Sequence, residues 1–145
     1  MRAIVAAVLF VSMAPLWAAD VGEIKTARGD AYIERGAERL PARVGLGVRE
    51  GDKVVTGADA AVGVTFADNS LLSVGPNSAL AIDRYVFDST TNAGRFDSTL
   101  SKGTLAAVSG KIVKQSPEAM RVHTPSAIMG VRGTEFVVQV GDAKR

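Results

Sequence analysis

"AVGVTFADNSLLSV", residues 61–74, decides how the chain folds. Val62, Val64 and Phe66 fall on one face of an extended strand, and Gly63, Thr65 and Ala67 fall on the other. Asp68-Asn69-Ser70 is turn chemistry, because short polar side chains bond nearby backbone N–H groups. Leu72 and Val74 then resume the alternation. A period of two, interrupted by such a cluster, predicts a half-buried hairpin.

The same rhythm continues outward. In "SALAIDRYVF" (78–87) the alternation places Leu80, Ile82 and Val86 in register. Near the C-terminus Phe136, Val138 and Val140 face one way, and Glu135, Val137 and Gln139 the other. Glycines punctuate the runs at positions 45, 47, 51, 57, 63, 75, 94, 103 and 110. That spacing suits short strands joined by tight turns and leaves no room for a long helix. The one stretch with helix-like residues, "KQSPEAM" (114–120), is short and contains Pro117. The expectation is an all-β fold.

A weak internal repeat refines it. "GADAAVGV" from Gly57 and "GPNSALAI" from Gly75 match at an offset of 18 residues, and "TPSAIMGV" from Thr124 echoes them. Each copy reads as a turn, a small polar residue and an apolar strand. A fixed offset is what stacked turns produce, which favours a rolled or solenoid-like sheet of short strands. A β-sandwich of similar hairpins is the alternative.

The first residues belong to a different category. Arg2 supplies a positive start, residues 3–14 are uncharged and apolar, Pro15 breaks the run, and Leu16-Trp17-Ala18 offers a cleavage site. This is the pattern of a secretory signal peptide over residues 1–18. The apolar run is short of the ~20 residues that cross a bilayer, so no stable membrane insertion is expected after cleavage. Of the 145 residues, 127 then remain, enough for one core. After Ala19 and Asp20 they comprise a domain over 21–140 and a tail over 141–145.

Composition excludes several functions. Without Arg2, the 17 Lys and Arg fall to 16 against 15 Asp and Glu. That balance carries no clustered positive field, so nucleic acid is not an expected partner. The chain has no cysteine, which rules out disulfides, thiolate zinc sites, iron–sulfur clusters and thiol nucleophiles. His123 is the only histidine. It stands without the spacing of a metal site and without an evident partner for acid–base work. Asp52, Asp59, Asp68, Asp83 and Asp88 all lie in or beside expected turns, with no calcium-loop spacing. "GVREGD" (47–52) lacks the ending of a phosphate loop. No cofactor, no metal and no catalysis are expected.

Four stretches together carry a family likeness. They are "VGEIKTARGDAYIERG" (21–36), "GLGVREGDKVVTGADAAVGVTFADNSLLSVGPNSALAID" (45–83), "LSKGTLAAVSGKI" (100–112) and "VHTPSAIMGVRGTEFVV" (122–138). In order and spacing the chain resembles a FecR-type domain over about Val21 to Val140. The most specific parts are Gly51-Asp52 with Thr56, Asp68 with Ser70, and the run Thr124-Pro125 through Gly130, Gly133 and Thr134. The resemblance implies the periplasmic module of transmembrane regulators of iron-siderophore uptake, which also occurs alone in exported bacterial proteins. Here the domain directly follows the expected signal peptide, so the anti-sigma and membrane segments of the full regulators are not implied.

Within the last run, Gly130 and Gly133 bracket Val131-Arg132. Two glycines allow a bulge or a close backbone approach. Arg132 has two readings: its donors tie down the closing strand, or it projects into a groove and binds an anionic partner. Thr134 fits the strand that follows, and its hydroxyl can bond a neighbouring turn. The bulge accounts for both glycines and favours the structural reading.

The expected role is a non-enzymatic, exported interaction or sensory module of a Gram-negative envelope, periplasmic or at the cell surface. An envelope protein is the expected partner, met at a strand edge. The alternative is ligand or glycan binding. An exposed row of Tyr85 and Phe87 beside Asp83 would favour that alternative.

Overall fold

In the computed structural model, which describes residues 19–130 and 133–141, the alternating runs form strands throughout. In chain order they are β1 (Asp20–Arg28), β2 (Ala31–Arg35), β3 (Glu38–Pro41), β4 (Gly47–Arg49), β5 (Lys53–Thr56), β6 (Ala61–Phe66), β7 (Leu71–Val74) and β8 (Ala79–Phe87). They continue with β9 (Gly94–Val108), α1 (Lys111–Gln115), β10 (Met120–His123), β11 (Ile128–Gly130) and β12 (Glu135–Val140). The five residues of α1 begin three positions before "KQSPEAM" and bury Ile112 and Val113.

The pairing describes one sheet folded along a crease. β9, 15 residues long, belongs to both halves. Its first part pairs β8 through Lys102, and its second part pairs β7 from Leu105 onward. Gly103 lies between them at φ +92. Each other ribbon repeats the scheme. β7 and β8 bend at residues 75–78, β5 and β6 at 57–60, β1 and β2 at Gly29-Asp30, and β3 and β4 at 42–46. One half therefore runs β4-β1-β6-β7-β9, and the other β3-β2-β5-β8-β9. Beyond β9, β12 adds antiparallel to its second part and β10 adds parallel to its first, with β11 outermost.

The inner faces of the two halves meet in one core. Ile24, Val64, Leu72 and Leu105 come from one side, and Ile33, Val54, Leu80 and Leu100 from the other. Burial of these faces is the main driving force for the roll. Phe66, Tyr85 and Phe96 pack ring to ring in its centre, with centroids 4.6–5.3 Å apart. The rolled sheet expected from sequence is thus what forms, as a curled and open half-barrel.

The internal repeat marks the crease. Its copies at Gly57 and Gly75 are neighbouring corners, and Asn77 N donates to Gly57 O at 2.9 Å. The strands they feed enter opposite halves. The turns pack side by side on antiparallel ribbons, in place of the stacked coils of a solenoid.

One register expectation is corrected. Between Ile82 and Arg84 the pairing of β8 with β9 shifts, leaving Asp83 as an extra residue. The bulge reverses the alternation. Tyr85 enters the core, and Val86, expected in line with Leu80 and Ile82, is 49% exposed.

Candidate functional site

The buried members of the expected motif are bonded to their own fold. Asp52 is 1% exposed at the start of β5. Its carboxylate accepts Nε and Nη2 of Arg35 at 3.0 and 2.8 Å, and the backbone N of Arg49 at 2.9 Å. Arg35 also donates to Gly47 O at 3.0 Å. The pair joins β2, β4 and β5, and the hydrogen bond to Asp52 raises the affinity of Arg35 for its proton. Gly51, in the turn just before, holds φ +89, a left-handed conformation that glycine adopts without a Cβ penalty. Gly51 N donates to Ile82 O at 2.7 Å, and Glu50 Oε2 accepts Tyr85 N at 2.9 Å. The turn thereby satisfies backbone groups around the β8 bulge.

Thr56 closes a corner. Its hydroxyl donates to Gly75 O at 2.6 Å and accepts Ser78 N at 2.9 Å. Asp68 organises the β6–β7 hairpin. Its carboxylate accepts the Ser70 backbone N at 3.2 Å, the Ser70 hydroxyl, Tyr85 Oη at 2.8 Å and Ile112 N at 3.3 Å. Burial, aided by the bond to Asp68, pushes the Tyr85 phenol well above its usual range. Tyr85 therefore cannot join an exposed aromatic row with Phe87, and sugar stacking loses that platform. Asp88, by contrast, sits in an exposed turn. It accepts Thr90 N at 2.8 Å, and backbone bonds of this kind hold its carboxyl below the ordinary carboxylate value.

The C-terminal run divides into two turns. Thr124 Oγ1 donates to Ala127 O and accepts Ala127 N, both at 3.1 Å. Thr124-Pro125 thus closes the β10–β11 hairpin, and His123 ends β10 opposite Ile128. Among the described residues no cluster of His, Asp and Glu can hold a metal ion. Gly133 has φ +91, and its carbonyl accepts the Ser109 hydroxyl at 2.8 Å. Thr134 bonds through its carbonyl, which accepts Ser109 N at 2.7 Å, and its hydroxyl bonds no described residue. Gly130 has no positive φ, and no described atom lies within 4 Å of where its Cβ would stand. The two glycines therefore differ: a left-handed turn requires the second, and no contact with a described residue requires the first. Arg132 lies outside the described residues.

What this segment presents is an edge. β12 pairs β9 on one side, and among the described residues nothing pairs its other side. Val137 on its outer face is 67% exposed. It adjoins a 260 Å³ depression lined by Leu71, Ala106, Val108 and Glu135. The opposite edge is blunted, since β4 has three residues and β3 carries Arg39 and ends at Pro41. Charged side chains, proline and shortness are how sheets guard their edges, and β12 has only Glu135, at its first position. Sequence reading placed Val137 on the outer face but had no means of seeing that β12 is the last strand.

A family model described as FecR protein matches residues 52–145. The chain belongs to the FecR family. The match begins at Asp52 and takes in Thr56, Asp68, Ser70 and the Thr124–Thr134 run. No curated protein and no solved structure matches the chain. FecR membership indicates a signalling or regulatory module of the envelope. β1 to β4 precede the matched segment, yet β1 pairs β6 and β2 pairs β5. The FecR fold in this chain is therefore completed by residues 20–49. No described helix is long and apolar enough to cross a membrane.

Proposed function

We propose that this FecR protein is an exported, periplasmic, non-enzymatic interaction module that offers the β12 edge to a strand of an envelope partner. The observation that carries this reading is the six-residue edge, charged only at Glu135, with exposed Val137 beside an apolar depression. A docked strand gains backbone hydrogen bonds along the edge, and the depression reads its alternate side chains. The non-enzymatic part is supported by the acids: Asp52 and Asp68 are consumed by structural bonds. Export rests on residues 1–18, which lie outside the described residues, with the mature chain beginning at Ala19 or Asp20.

The test is site-specific photocrosslinking in producing cells. A benzophenone side chain at Val137 is expected to trap a discrete adduct. The same group at Val86, exposed on the outer face of the other half, is expected to trap none. Equal adducts at both sites, or none at Val137, would reject the reading. An intact mass that retains Met1 would reject export by cleavage.

A further inference from the structure

The corners of the ribbons form a second surface, independent of the β12 edge. A groove of 690 Å³ runs along the outside of the crease. Every bend contributes to it: Asp30 from β1–β2, Arg43 from β3–β4, Gly57 from β5–β6, Asn77 from β7–β8 and Lys102 from β9. Neighbouring ribbons stand ~4.8 Å apart, so Arg43 and Lys102, four ribbons apart, mark a length of about 19 Å. Beyond Lys102, the same side chain lines a further depression with Ser101, Thr124 and Ser126.

The charge of the groove is one-sided. Arg39, Arg43 and Lys102 line it against the single carboxylate of Asp30. Arg39 lies over the Tyr32 ring, 4.8 Å from its centroid, and Glu34 on the same strand pair is 3.9 Å from it. Arg43 and Lys102 are exposed and make no ion pair with a described residue. The backbone, by contrast, is already used. Gly57 N bonds Asp30 O, Asn77 N bonds Gly57 O, Ala42 N bonds Ala31 O and Thr56 N bonds Ser78 O. A bound peptide would bring one N–H and one C=O per residue and find few partners for them. A sugar chain needs none of these backbone bonds, and its carboxylates suit guanidinium and ammonium groups.

We infer that the crease groove binds an extended anionic glycan, read by charge and hydroxyl contacts in place of aromatic stacking. Fluorescent polygalacturonate, a uronic acid polymer, is the probe, with neutral dextran and poly-L-glutamate as comparisons. The protein is expected to bind polygalacturonate, less tightly as salt rises, to ignore dextran, and to bind poly-L-glutamate more weakly. R43E/K102E should lose about tenfold in affinity or more, since two favourable charge contacts become repulsive. R43Q/K102Q should lose less. R84E/R121E, on the outer face of the same half but outside the groove, should bind as wild type. Melting curves for all three variants should overlay the parent. Absence of polygalacturonate binding, its survival in R43E/K102E, or its loss in R84E/R121E would overturn the site. Tighter binding of poly-L-glutamate would reassign the groove to a polypeptide.

Discussion

Thr56 and Ser78, 22 residues apart, share a closed pair of bonds: Ser78 N donates to Thr56 Oγ1 at 2.9 Å, and Thr56 N donates to Ser78 O at 3.0 Å. A side chain thus substitutes for the ladder where two ribbons bend together. Thr56→Val keeps the shape, removes the hydroxyl, and leaves Ser78 N and Gly75 O short of a partner. We expect a loss of ~1–3 kcal/mol in denaturant unfolding. Thr56→Ser should recover most of it, and a Val variant as stable as the parent would show that the clamp contributes nothing.

Arg35 and Asp52 form a pair in which the carboxylate is buried and the guanidinium remains 23% exposed. Arg35→Met strands a carboxylate that is 1% exposed, which should cost about 3–5 kcal/mol. The double variant Arg35→Met with Asp52→Leu removes the unpaired charge as well. Its unfolding free energy should lie closer to wild type than that of Arg35→Met, as equilibrium denaturation of both variants will show.

Tyr85 gives the fold a pH dependence at the alkaline end. Its phenol is raised above the ordinary value of 10.0 by burial and by the bond to Asp68. A raised folded value means that the folded state retains the proton while the unfolded state releases it. The contribution is complete below pH 10 and declines as pH climbs above it. Wild type should therefore lose stability more steeply between pH 10 and 11 than Tyr85→Phe. Parallel slopes in the two proteins would contradict the assignment.

Gly130 and Gly133 should respond differently to the same change. Gly133→Ala forces a Cβ residue to φ +91 and should cost about 1 kcal/mol or more. Gly130→Ala meets no described atom within 4 Å and should stay within ~0.5 kcal/mol of the parent. Thermal melts of the two variants decide it, and equal losses would mean that Gly130 carries a constraint of its own.

The strands were legible because alternation and burial obey the same period. Val62, Val64, Phe66, Leu72 and Val74 all face the core as their spacing implies. The corners were legible as an 18-residue echo, since each bend needs similar turn residues. Three features were not. The bulge at Asp83 has no local signature, so Tyr85 and Val86 exchanged faces unseen. The Arg35–Asp52 pair spans 17 residues, and no periodicity links its members. Gly103 read as punctuation between strands, yet it lies inside one continuous strand. Only the tertiary arrangement shows why: a Cβ there would collide with Ser78. At the candidate site, the outer-facing side of β12 followed from alternation, but an edge is a property of the whole sheet.

The shared strand β9 also governs the order in which the fold can be assembled. β8 and β7 each wait for a different stretch of the same segment, residues 94–102 for one and 105–108 for the other. During synthesis the β8 half lacks its central partner until residue 102 has left the ribosome and the β7 half until residue 108, although the first eight strands end at residue 87. The nascent chain must hold those strands without their closing pairings in the meantime, exposed to pairing with neighbouring chains. Once β9 is complete both halves have their centre, so melting of one removes support from the other and unfolding is expected as a single cooperative event.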